Sequence, residues 1–351
     1  MDKKARTSPE KESEDIDWEE VAYIARELIE EYNKRGIRPI LRQIFYLLVA
    51  NRIIKNNQRS YKRLSEVLTE HREWGLEALG MNESQDNESS FEVSWGLHPL
   101  ALQDTSRRVI GGDSGYSSLR EFLDKLLQYM EKGYSRKRWD SQPKQVIIWL
   151  EKESLAQLLE DIAEKYGVKL VPTRGYASFT TLYENLVEEV NPDKPLVVLL
   201  LTDFDPSGQD MVRDLHIRVP KYLYLRYNME SKNYRAIKIS RISDEKYKIE
   251  AGIEIKKVAL TKRQVIEYNL PPIPAKKSDS RYEWFTKAYG DKTTELEALP
   301  PEVLRQLVEE AIVENIDVDA WKEVQRKEKE EKERIKEIVQ KLRETLESEL
   351  S

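Results

Sequence analysis

The chain has 351 residues, 35% of them Asp, Glu, Lys or Arg, and a formal net charge of −6. That length leaves room for two domains with cores of their own, and the acidic balance argues against indiscriminate binding to nucleic acid. Cysteine is absent and the three histidines, His71, His98 and His216, lack ligand spacing, which excludes disulfides and thiolate sites and disfavours zinc. With no apolar run long enough to span a bilayer and no secretory signal, the expectation is a cytoplasmic protein with no membrane partner.

Residues 1–16 are charged and almost free of apolar side chains, and read as a disordered tail. Apolar residues from Trp18 to Lys34 recur at helical spacing, Gly36 stops that helix, and Arg38-Pro39 opens a second that ends near Asn51. A third helix is predicted from Gln58 to Trp74. From Lys34 to Arg63 there are nine basic residues and no acidic one, a cluster that can form a phosphate-binding footprint or a solvated face. In so acidic a chain the footprint is the stronger reading, with Arg38, Arg52, Lys55, Arg59, Lys62 and Arg63 as candidate DNA contacts. Three short helices with this surface suggest a helix-turn-helix or winged-helix module over 17–135. Gly80–Ser94 reads as a polar loop or insertion, and the run Gly111-Gly112-Asp113-Ser114-Gly115 as a hinge or loop. A helix from Ser118 to Met130 and a basic linker, Ser135–Arg138, follow.

Over 140–316 the pattern becomes strand–helix–strand–helix–strand, which predicts an α/β domain with a mainly parallel sheet. The strands are Gln145–Leu150, Val168–Val171 and Leu196–Leu201, and the helices run from Ser154 to Tyr166 and from Ser178 to Val190. Six consecutive aliphatic residues in the third strand read as buried on both faces. Glu151 ends the first strand, and Asp203-Phe204-Asp205-Pro206-Ser207-Gly208 follows the third. Asp205 can cap a helix beginning at Pro206. The acids then lie at the carboxyl edge of the sheet, where ligands bind. Close carboxylates repel unless a cation lies between them, and hard oxygen donors favour Mg²⁺, with Mn²⁺ as a substitute. Glu151, Asp203 and Asp205 are therefore a candidate metal cage, set against the plainer reading of a turn residue and a cap. Tyr222–Tyr227 reads as a further strand, and 236–242 and 247–258 as strands with a hairpin turn near Asp244. Lys276, Lys277 and Arg281 read as a solvated loop rather than as DNA contacts. A helix starts at Leu299-Pro300-Pro301, and 318–351 is a long charged helix of interleaved Glu and Lys.

Glu151, Gly175-Tyr176 and Asp203-x-Asp205-Pro-x-Gly208, each after a strand, resemble the Toprim domain. The chain is most similar to the A subunit of topoisomerase VI and the related meiotic double-strand-break proteins, especially the small stand-alone members. Arg42-Gln43-Ile44-Phe45-Tyr46 resembles that family's Arg-x-x-Tyr-Tyr motif, with Phe45 in the first tyrosine's place and one hydroxyl fewer beside the nucleophile. The resemblance implies a winged-helix-like domain followed by a Rossmann-like Toprim domain. It further implies a DNA-cleaving enzyme in which Tyr46 attacks double-stranded DNA and can reseal it. Arg42 would grip the phosphate, and Glu151, Asp203 and Asp205 would hold Mg²⁺. It also implies a homodimer, in which the tyrosine of one subunit meets the metal of the other, and a separate ATPase subunit as partner. Two alternatives stay open on the residues: a nuclease using metal-activated water with Tyr46 as a packing residue, and a non-cleaving DNA-binding module.

Overall fold

The computed structural model describes residues 16–81, 96–98, 101–102, 115–243 and 245–349. The expected tail, most of the polar insertion, the glycine-rich run up to Ser114 and the Asp244 turn lie outside the described residues. The chain forms two compact units, Met1–Gln103 and Asp104–Ser351.

The first unit contains α1 (Trp18–Lys34), α2 (Leu41–Ala50) and α3 (Gln58–Met81). Asp17 starts α1 by accepting the Glu19 and Glu20 amides at 3.0 and 3.3 Å, which satisfies donors that the first turn leaves orphaned. At the start of α2 the Gln43 side chain accepts the Ile40 amide at 3.0 Å. Ile29, Ile44, Leu48, Leu64 and Leu68 are fully buried between these helices. Residues 51–57 join α2 to α3, a longer link than the roughly three- or four-residue turn of a helix-turn-helix.

The second unit is mixed α/β around a four-stranded parallel sheet. Its strands are β1 (Gln145–Leu150), β2 (Lys169–Pro172) and β3 (Leu196–Leu201), with β6 (Ile253–Ala259), in the order β2-β1-β3-β6. Helix α4 (Leu119–Lys132) precedes the sheet, and α5 (Ala156–Tyr166) joins β1 to β2. The short α6 (Phe179–Leu182), continued by one π turn over Tyr183–Val187, joins β2 to β3. All six residues of β3 are buried. Ile147, Trp149, Val198 and Leu200 share a core with Leu215, Val219 and Leu223 of α7 (Pro206–Tyr227). Helix α5 packs on the sheet together with α10 (Pro301–Val313), which also contacts β6. With helices packed on it and β3 buried throughout, the sheet shows why that strand reads as an unbroken aliphatic run instead of alternating.

Several expectations change. Tyr222–Tyr227 is the last part of α7, not a strand. Its Leu/Tyr alternation suggested β, but Met211, Leu215, Val219 and Leu223 are buried at intervals of one helical turn while Leu225 is 58% exposed. Burial against the sheet thus favours the helical period over local β propensity. The strand expected over 247–258 breaks at Gly252, φ +81°: its first part, β5 (Lys246–Ala251), pairs antiparallel with β4 (Lys238–Ser243), and its second joins the parallel sheet as β6. The expected first domain reached residue 135, yet α4 packs along α11 (Val318–Glu349) inside the second unit. The basic linker after α4 is tied down as well: the Arg136 amide donates to Glu328 at 3.0 Å and its guanidinium to Glu331 at 2.9 Å. Short elements complete the unit: α8 (Lys262–Glu267), β7 (Ile273–Pro274), α9 (Tyr282–Tyr289) and β8 (Lys292–Thr293). Among the described residues no helix is long and apolar enough to cross a membrane.

Candidate functional site

The chain runs from β1 to β2 on one side and places β3 on the other, so the sheet order reverses between β1 and β3. At such a switch point the loops leaving two neighbouring strands diverge and open a crevice at their carboxyl ends. Glu151 leaves β1 there and Asp203 leaves β3. The Glu151 amide donates to the Leu201 carbonyl at 2.9 Å, and its carboxylate accepts the Asp203 amide at 2.9 Å. Both acids are buried, at 8% and 6% exposure. Asp205 is half-buried and caps α7, accepting Gly208 N–H at 2.6 Å and the Ser207 hydroxyl at 3.1 Å.

Three groups that the sequence reading passed over complete the cluster. Lys152 places Nζ 2.9 Å from Asp203 Oδ2 and 3.6 Å from Glu297 Oε2. Lys257, on β6, donates to the Asp203 carbonyl at 3.1 Å. Glu297 is 5% exposed. It arrives because Phe204 and Thr294 pair backbone to backbone at 2.9 and 3.0 Å, which lays the following turn over the Asp203 loop. From that turn the Leu296 amide donates to Asp203 Oδ1 at 2.8 Å. Nothing in the local sequence marks Glu297; a bridge between residues 90 apart in the chain brings it in.

Burial, and then the neighbouring Asp203 charge, push the Glu151 carboxyl up to about 7. Burial likewise raises Asp203 to about 6, against the pull of Lys152, and the two acids titrate as a pair. Burial disfavours the Lys152 ammonium, but Asp203 and Glu297 hold it above the ordinary lysine value. Burial lowers Lys257 to about 8 although Glu151, Asp205 and Asp203 favour its charge. Four acids thus face two lysines, leaving surplus negative charge in a poorly solvated cluster.

The donor set suits a hard divalent cation in part. Glu151 Oε1 and Asp205 Oδ2 accept no hydrogen bond among the described residues. Mg²⁺ is commonly held by one or two carboxylates, with water and substrate phosphate completing the shell. Both Asp203 oxygens, by contrast, are engaged by Leu296 and Lys152. Among the described residues no three acidic or histidine side chains are gathered into a ready-made metal group. The cage expected from Glu151, Asp203 and Asp205 thus resolves into two acids with an open oxygen each and a third paired with a lysine.

Gly175, at φ +95°, turns the chain after β2. Tyr176 then reaches α7, its hydroxyl 2.7 Å from Asp210 Oδ2. Burial and the Asp210 carboxylate raise the Tyr176 phenol. Arg281 lies over the Tyr176 ring at 5.2 Å and pairs with Asp210 at 3.3 Å, while Lys276 and Lys277 are exposed.

In the first unit Tyr46 is 6% exposed on α2, with the Phe45 ring 5.3 Å away in an edge-to-face contact. Arg42 lies one turn earlier on the same helix, its guanidinium 5.5 Å from the Tyr61 ring centre. Arg52, Lys55, Arg59, Lys62 and Arg63 are exposed and Arg38 is half-buried. No family model matches the chain, and no curated protein matches it.

Proposed function

We propose that this chain is a Mg²⁺-dependent, DNA-binding enzyme that cleaves DNA by tyrosine transesterification, of the kind found in the topoisomerase VI A subunit. The observation that carries the reading is the meeting of Glu151 with the Asp203 turn at the ends of adjacent parallel strands, in a crevice with surplus buried negative charge. Glu151 and Asp205 would hold the ion, and the ion would stabilise charge developing on a phosphoryl or leaving oxygen. Arg42 would grip the scissile phosphate, since a guanidinium can hold two phosphate oxygens through parallel hydrogen bonds. Tyr46 Oη gives up its proton to solvent and bonds to phosphorus as the bond from phosphorus to the sugar oxygen breaks. That oxygen departs with the electron pair and takes a proton back from solvent, so the phosphotyrosyl link retains the energy needed to reseal the strand. The acting form is a homodimer on double-stranded DNA, working with a separate ATPase subunit. The basic face of the first unit would meet the DNA backbone, the part that a winged-helix-like module plays in that family.

Burial of Tyr46 favours a second reading, in which an ion-bound water hydrolyses the phosphodiester and Tyr46 only packs against Phe45. Incubation with supercoiled plasmid and Mg²⁺, stopped with detergent, separates the two. The first reading expects covalent protein–DNA adducts that disappear in Tyr46→Phe. Cut DNA without adducts assigns the hydrolytic reading, and salt-sensitive binding with no cut product under any metal leaves only a DNA-binding module.

The basic face makes its own prediction. Replacing the exposed Lys55, Arg59 and Lys62 with Gln should reduce the slope of log K against log salt by about 2 to 3, since each phosphate contact contributes about 0.9. Fluorescence anisotropy on a duplex over a salt series reads it, and an unchanged slope would remove these residues from the interface.

A further inference from the structure

Lys152 leaves β1 directly behind Glu151 and brings its ammonium to two buried carboxylates, Asp203 and Glu297. Its two carboxylate neighbours are both anchored by other groups. The Leu296 amide holds Asp203 Oδ1 at 2.8 Å, and the Ser154 hydroxyl holds Glu297 Oε1 at 2.7 Å. The oxygens facing the lysine are the remaining ones, Asp203 Oδ2 at 2.9 Å and Glu297 Oε2 at 3.6 Å. Two fixed acceptors flank one ammonium on a flexible four-carbon stem, so the lysine is the part that can move.

Resting on the Mg²⁺ reading above, we propose that Lys152 is a resident counter-ion that exchanges between Asp203 and Glu297. A divalent cation entering at Glu151 and Asp205 recruits Asp203 by displacing the ammonium onto Glu297. The electrostatics require a place for the displaced charge. A cation beside Asp203 repels an ammonium in the same low-dielectric crevice. An ammonium driven off with no acceptor would remain buried and unpaired, which is strongly unfavourable. Glu297 supplies the acceptor within the present reach of Nζ. Lys152 and Glu297 act as positioning residues: they decide when Asp203 becomes a ligand.

A double-mutant cycle on the full chain, read by isothermal calorimetry with Mn²⁺ and then Mg²⁺, tests this. Glu297→Gln keeps the shape of the side chain but removes the acceptor, and should weaken ion binding about tenfold. Lys152→Met removes the competitor and should tighten it about tenfold. The double variant should bind within about threefold of Lys152→Met, because Glu297 has nothing to receive once the lysine is gone. Weakening by both single variants would overturn the exchange, as would a Glu297→Gln loss of equal size with and without Lys152. If Lys152→Met fails to fold, Glu297→Gln decides alone, and an unchanged affinity sinks the proposal. Absence of any Mn²⁺ or Mg²⁺ binding by the unsubstituted protein is a separate outcome: it removes the metal reading itself and the exchange with it.

Discussion

Gly208→Ala is expected to destabilise the protein by about 3 kcal/mol, although an alanine for glycine at an ordinary helical position stabilises by roughly 0.4–1 kcal/mol. Gly208 lies in the first turn of α7, where that turn runs against the loop leaving β3. A Cβ built there would stand 2.2 Å from the Asp203 carbonyl oxygen and 3.1 Å from Thr202 Oγ1. The first obstacle is backbone and cannot rotate away. Relief requires the Asp203 loop or the α7 start to shift. Either movement strains the Asp205 cap on the Gly208 amide and the Thr202 hydroxyl's bond to the Gly208 carbonyl at 3.0 Å. Urea denaturation gives the stability change, and calorimetry with Mn²⁺ should show weaker binding in the same variant. A Gly208→Ala protein as stable as the original would mean that helix and acidic turn do not approach this closely.

The second large effect is a trough in stability near neutral pH in metal-free protein. Glu151 and Asp203 have folded-state pKa values above their unfolded ones, so across that interval the native state holds protons that the unfolded chain has released. Stability from this source is complete below about pH 4, falls as pH rises, and is gone above about 7. Both groups are nearly buried and share their protons, so the loss should amount to about 3 kcal/mol in total. Lys257 has the opposite sign. Its folded pKa lies below the unfolded one, so the unfolded chain holds more protons above about 8 and stability rises again with pH. Carboxylates with lowered pKa, such as Asp161 and Asp210, act only at more acidic pH and do not fill the trough. His71 and His98, lowered by burial, add stability as pH rises through the histidine range and make its acid limb shallower. Melting temperatures from pH 4 to 10 in chelator should show the minimum, and Mg²⁺ should raise the curve most at its floor. Glu151→Gln should flatten the acid limb. A monotonic profile unaffected by that substitution would show that the two acids do not meet.

Much of the fold was legible in the chain because its signals are local. The apolar run Leu196–Leu201 closes on Asp203, and Asp205-Pro206 is a cap followed by a proline whose missing amide costs nothing, so the strand, the turn and the helix start all follow from neighbouring residues. The first three helices of the chain were equally readable from their periodicity, except that the third runs past its expected end at Trp74, through Gly75 and Gly80, to Met81. The strand expected at Tyr222–Tyr227 is a helix for the complementary reason: Tyr and Leu alternating over Tyr222–Leu225 carry a β signal, and only packing of Leu215, Val219 and Leu223 on the sheet extends the helix through them.

The candidate site divides along the same line. Three acids at strand ends are visible in the sequence, because a strand followed by a carboxylate is a short-range pattern. Their surroundings are not. Strand order decides that β1 and β3 are neighbours, and so that Glu151 touches the Asp203 amide. Pairing of Phe204 with Thr294 delivers Glu297, and the register of β6 against β3 delivers Lys257. Local patterning therefore specified which residues end the strands and begin the helix. Long-range burial and strand pairing alone decided which charges share the crevice, since a Coulomb interaction depends on distance in space and not on separation along the chain.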